Sequence, residues 1–198
     1  MTQVVQQHDK TTIMSEIKCV FVGNPGVGKS SLIMNYKERT FDQHTPPVVD
    51  ACAVPVFFDG KSASLKVWDS AGHSDYDRVR YLLYPESDIC LVCFSVDNLD
   101  SYTNVEGKWL PELSQHRPNT PVMLVGTKTD LRDPNGESIV TYDMGEELMR
   151  RTNAVSYIEC SARTQDGVRQ VFQEAARAVV SIRKEAKKAR RKQGCVLS

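Results

Sequence analysis

No apolar run in this 198-residue chain approaches the roughly 18 residues a membrane-spanning helix needs, which excludes a helical span. Net charge is absent too: 25 Lys and Arg balance 25 Asp and Glu, so no overall field draws the chain to nucleic acid or to an acidic surface. Neither an internal repeat nor a secretory leader is visible, and the expected setting is therefore cytosolic, with reduced cysteines. The length suits one domain with a full core and is short for two.

The six cysteines are placed like core residues. Cys90 and Cys93 form a C-x-x-C, but inside the apolar run ICLVCF, so a buried strand outweighs a redox or zinc site. Cys19, Cys52 and Cys160 also lie in or beside strand-like runs. Cys195, four residues from the end, is the exception. Charge is neutral only on average. RKEAKKARRK (183–192) holds seven Lys or Arg against one Glu, leaving an acidic body and a basic tail. Such a block reads as a solvated helix end or as an anion-seeking arm.

Five short apolar runs, IKCVFVG (17–23), SLKVW (64–68), DICLVCFSV (88–96), PVMLVG (121–126) and SYIEC (156–160), have the unbroken apolar character of strands buried on both faces. Helical spacing runs between them, in GKSSLIMNYKE, SYTNVEGKWLPELS, TYDMGEELMRR and the long stretch from Gly167. After about residue 180 that last stretch loses its apolar face. Alternation of this kind predicts an α/β domain whose mostly parallel sheet carries helices on both faces. AVPVFF followed by Asp59-Gly60 and KSASLKVW is a hairpin signal, so one of six strands should run antiparallel. Residues 1–16 read as a disordered extension, 17–180 as the domain and 181–198 as a polybasic tail.

Between the first strand and the first helix stands GNPGVGKSS, Gly23 to Ser31, a match to G-x-x-x-x-G-K-[ST]. In that setting the loop amides and the helix N-terminus face phosphates, a lysine (Lys29) reaches the terminal ones, and a hydroxyl (Ser30) binds Mg²⁺. GTKTD (126–130) ends another buried strand. The Asp130 carboxylate can accept from both N1–H and the 2-amino group of guanine, which adenine lacks, while the Lys128 stem covers the ring. ECSA (159–162) would bring the amides of Ser161 and Ala162 to the same base. All three loops follow parallel strands, where such sheets bind ligands.

On these motifs the chain resembles the Ras superfamily of small GTPases from about Ile17 to Ser198. WDSAG (68–72), YDRVR (76–80), T-K-x-D-L-R (127–132) and KWLPEL (108–113) are similar to its Rho/Rac branch. The resemblance implies a single six-stranded P-loop G domain that binds GTP or GDP with Mg²⁺. Gly23, Gly26, Val27, Gly28, Lys29, Ser30 and Ser31 would then cradle the phosphates. Asp69 would support the metal shell through water, the Gly72 amide would meet the γ-phosphate, and Phe41 would pack on guanine. Effectors would engage the switch regions, exchange factors are possible partners, and the protein would be a monomer.

Three positions depart from that resemblance around the γ-phosphate. Pro25 stands where the family has glycine, adding a ring and removing an N–H where water and an arginine finger must fit. In PPVVD (46–50) Pro47 replaces the threonine that closes on Mg²⁺, with Thr45 two positions away and Asp50 retained. His73 replaces the glutamine that orients the attacking water, and Ser74 follows it. Slow or absent hydrolysis is the expectation; His73 acting as a base is the weaker reading. Only PNGESI (134–139) stands where Rho proteins carry a helical insert, so contacts made through that insert are not expected.

The last residues, CVLS, fit C-a-a-X and predict farnesylation of Cys195. One lipid anchors marginally, and residues 183–192 can add about 1 kcal/mol per basic side chain on an anionic leaflet. Nucleic acid is the weaker target for that run, because no aromatic residue is interleaved with it. The sequence therefore predicts a Rho-type, GTP-bound signalling protein on the cytoplasmic face of a membrane, its class linked to actin, polarity or membrane traffic. A conventional cycling GTPase and a nucleotide-free interaction module are the alternatives.

Overall fold

The computed structural model describes residues 13–41, 51–132 and 140–194. Its centre is one six-stranded sheet in the order β2-β3-β1-β4-β5-β6. The strands are β1 (Ile13–Gly23), β2 (Cys52–Phe58), β3 (Lys61–Asp69), β4 (Ile89–Ser95), β5 (Val122–Thr127) and β6 (Ser156–Glu159). Every pairing is parallel except β2 with β3, which turn back on each other at Asp59-Gly60. Both turn residues have positive φ, 47° and 69°, as a tight right-twisting hairpin requires. The sheet and its single antiparallel strand are as the alternation and the Asp-Gly signal predict.

β1 begins four residues ahead of the Ile17 that marks its apolar run. Ile13 and Met14 pair with Ser62 and Ala63, and a register shift before Ile17 separates this extension from the main ladder. Backbone pairing extends the strand where side-chain pattern gives no cue. β4 lies between β1 and β5 and is buried at all seven positions, including Cys90 and Cys93.

α1 (Lys29–Glu38) and α6 (Val168–Gly194) cover one face. α6 does so with Val168, Val171, Phe172, Ala175, Ala176 and Val179, a three-and-four spacing that makes one apolar stripe. Beyond Arg183 the same helix continues with exposed residues through Arg191. The other face carries α2 (Asp77–Tyr81), α3 (Leu99–Asn104), α4 (Leu110–His116) and α5 (Tyr142–Thr152). A π-helical turn, Val105–Trp109, joins α3 to α4 and buries Val105 and Trp109 completely. No helix among the described residues is long and apolar enough to cross a membrane.

Candidate functional site

A cavity of about 570 Å³ opens at the C-terminal ends of β1, β3, β5 and β6. Pro25, Gly26, Gly28, Lys29, Ser30 and Ser31 form its floor, where β1 turns into α1. Gly26 and Gly28 have φ of 73° and 96°, and a Cβ on Gly26 would meet nothing within 4 Å, so the loop is open toward the cavity. Alternating backbone of this kind turns successive amides to one side and suits an anion. Gly23 and Val27 support the loop from beneath. Gly23 at φ 146° admits no side chain, since a Cβ would lie 2.2 Å from the Cys93 carbonyl, and Val27 is buried.

Lys29 is 5% exposed, and its Nζ donates to the carbonyls of Gly23 (2.8 Å) and Asn24 (3.0 Å). The ammonium thus lies across the loop, and burial lowers its pKa from 10.5. Ser30 Oγ donates to Asp69 Oδ2 at 2.5 Å, placing a hydroxyl and a carboxylate from α1 and β3 together. Hard oxygens in such a pair suit Mg²⁺.

Opposite the floor stand Ala71, Gly72 and His73. A Cβ on Gly72 would lie 2.2 Å from Gly23 O and 2.6 Å from Pro25 N, so only glycine lets these loops meet. His73 Nδ1 lies 3.2 Å from Asp75 Oδ2 and accepts from Asp75 N at 3.4 Å, with both side chains largely exposed.

The far end is lined by Phe41, Thr127, Lys128, Asp130, Ala162 and Arg163. Lys128 adopts φ 59°, which swings the strand end into a tight turn. Ser161 does not line the cavity; its buried hydroxyl donates to Asp130 Oδ1 at 2.6 Å and fixes that carboxylate. Arg163 Nη1 stands 3.9 Å from the other oxygen. Thr127 Oγ1, 2.5 Å from Val27 O, ties this end to the phosphate loop.

Four strand-end loops distant in sequence therefore share one cavity, with the glycine-rich loop and a lysine at one end and the Asp130 carboxylate at the other. That arrangement fits a nucleotide. Thr45, Pro47, Asp50, residues 134–139 and Cys195 lie outside the described residues.

Sequence reasoning missed the supports behind this cavity. Arg80 is 1% exposed, and its Nε and Nη2 donate to the two Glu112 oxygens at 2.8 and 2.7 Å. Tyr84 O–H donates to the same Glu112. Trp109 Nε1 donates to Asn24 Oδ1 at 2.8 Å, and the Arg80 guanidinium lies 5.0 Å from the Trp109 ring centre. YDRVR and KWLPEL are visible in the sequence as separate motifs, and the fold makes them partners.

The model of the Ras family matches residues 18–181, most of the chain and all of the strand-end loops that form the cavity. Members of that family bind GTP and GDP, generally with Mg²⁺. The chain belongs to the Ras family, as a small GTP-binding signalling protein.

Proposed function

We propose that this is a Rho-type member, anchored to a membrane and held mainly with GTP, which signals by presenting its switch surface to effectors instead of by cycling. What supports hydrolysis impairment is the position of Pro25. Pro25, Gly72 and His73 line the same cavity, where the phosphate loop and the loop after β3 approach closely. Bulk stands where an attacking water and an arginine finger need room, and an imidazole stands where an amide would orient the water.

In this reading the loop amides around Gly26 and Gly28, with Lys29, hold the phosphates. Ser30 and Asp69 are the residues that would hold Mg²⁺, which neutralises phosphate charge when bound. Asp130, fixed by Ser161, accepts from the guanine edge, and Lys128, Phe41 and Ala162 border the ring. The exposed apolar side chains of α2 and the turn before it, Tyr76 (54%) and Val79 (59%), suit an effector surface. The exposed basic end of α6 and Cys195 suit an anionic, lipid-anchored attachment.

The deciding experiment is to purify the protein without added nucleotide, denature it and chromatograph what is released. GTP in excess over GDP is expected. Mostly GDP would overturn the hydrolysis-impaired reading in favour of a cycling switch, and a site still empty after incubation with GTP and Mg²⁺ would leave only an interaction module.

A further inference from the structure

The Arg80 guanidinium has five N–H donors, and the structure engages all of them. Three go to carboxylates: Nε and Nη2 to Glu112, and Nη2 to Asp77 at 2.5 Å. The remaining two, on Nη1, reach the backbone carbonyls of Ala71 (2.9 Å) and His73 (3.5 Å). Arg80 therefore has no donor left for a ligand. It touches instead the backbone on both sides of Gly72.

That contact has a geometric consequence. In a planar trans peptide the carbonyl of one residue and the N–H of the next point to opposite sides. The Ala71 carbonyl is drawn back toward Arg80, so the Gly72 N–H must point away from it. Gly72 lines the cavity, and its N–H has no hydrogen-bond partner among the described residues. The front of the same glycine is pressed against Gly23 and Pro25, which leaves the peptide little room to flip. A backbone donor with no partner among the described residues is thus aimed and held by the protein's own contacts.

Resting on the reading that the cavity takes a guanine nucleotide with its third phosphate beside Gly72, we infer that Arg80 is a positioning residue for triphosphate recognition. It orients the Gly72 amide before the nucleotide arrives. The third phosphate then gains a hydrogen bond without bearing the entropy of ordering the loop. A diphosphate does not reach that donor, so the gain is selective for GTP over GDP. Glu112, anchored by Tyr84, fixes Arg80 in turn, which assigns Glu112 the supporting role.

The test compares wild type, Arg80→Lys and Glu112→Gln in dissociation of a fluorescent non-hydrolysable GTP analogue and of fluorescent GDP. Lysine keeps the positive charge but cannot span Glu112 and Ala71 together; glutamine keeps the shape and one acceptor should Arg80→Lys fail to fold. About tenfold faster loss of the GTP analogue is expected in the folded variants, the scale of one hydrogen bond to a charged group, with GDP loss changed by less than about twofold. Amide hydrogen exchange at Gly72, followed without nucleotide, should quicken in the same variants. Equal acceleration for both nucleotides, or no change for either, overturns the assignment while leaving the nucleotide site intact. A wild type that binds neither nucleotide overturns the pocket reading and the assignment with it.

Discussion

The indole N–H of Trp109 donates to the side-chain oxygen of Asn24 at 2.8 Å, from a ring with no exposed surface. The bond pins the phosphate loop to the π-helical turn between α3 and α4. Arg80 and Lys108 stand 5.0 and 4.5 Å from the ring centre, so the indole is also a platform for two cations.

Asn24→Ala would leave that N–H buried with no acceptor, a penalty of about 1–3 kcal/mol. Asn24→Asp retains an acceptor and should fall well short of that loss. Urea unfolding should show a lower midpoint for the alanine variant at unchanged slope. An alanine variant within about 0.5 kcal/mol of wild type would show that the bond does not hold the loop.

On the proposal that Pro25 and His73 impair hydrolysis, reverting both should raise it. Pro25→Gly with His73→Gln restores space beside Gly72 and an amide side chain to orient water. Single-turnover hydrolysis should rise about tenfold or more, roughly 1.4 kcal/mol of barrier, toward the ~10⁻⁴ s⁻¹ scale of Ras. A double variant as slow as wild type would place the defect elsewhere, with Pro47 the next residue to revert.

Much of this was legible because local signals and tertiary structure agree. Asp59-Gly60 between extended runs specified the antiparallel hairpin, and the unbroken apolar run around Cys90 and Cys93 specified a strand covered on both faces. That these residues would come together was legible because their motifs each stand at the end of a strand, and the strand ends meet at one cavity. The supports were not. Arg80 and Glu112 are 32 positions apart, and charged residues in amphipathic segments ordinarily point to solvent. The π turn before α4 and the early start of β1 arise from packing and backbone pairing, which leave no periodicity to read.

Base selectivity should reside in Asp130. Asp130→Asn replaces one of two acceptor oxygens by a donor, so an N–H of guanine meets another N–H. With hydrogen bonds to a carboxylate contributing about 1.5–3 kcal/mol each, GTP and GDP affinity should both fall roughly 10²-fold or more. Ser161→Ala removes the 2.6 Å bond that orients Asp130, along with the acceptor for Thr164 N–H at 3.1 Å, but leaves the carboxylate in place, and should weaken both by less than tenfold, about 1 kcal/mol. Competition binding with GDP and ADP checks both; retained guanine preference in Asp130→Asn would assign base recognition to other groups.

The protein should lose stability at alkaline pH through its core thiols. Burial raises the pKa of Cys19, Cys90, Cys93 and Cys160 above the ordinary 9.0, Cys90 to about 11 and Cys93 to about 12. Above pH 9 the unfolded chain releases these protons while the folded chain keeps them. The unfolded state then binds fewer protons, so stability falls as pH rises, by up to about 1.4 kcal/mol per pH unit for each thiol, until the folded thiols ionise in turn. Burial also raises Tyr84 and Tyr157, which extend the loss above pH 10. Lys29, lowered by burial, opposes it only up to 10.5, because there the folded chain is the one that releases a proton first. Urea titrations at pH 8, 9 and 10 under reducing conditions should therefore show a smaller loss over the first step than over the second. Cys93→Ala should be less stable than wild type at pH 8, from the cavity it leaves, yet lose less between pH 9 and 10. Parallel pH profiles for the two proteins would show that the Cys93 thiol is not among the groups responsible.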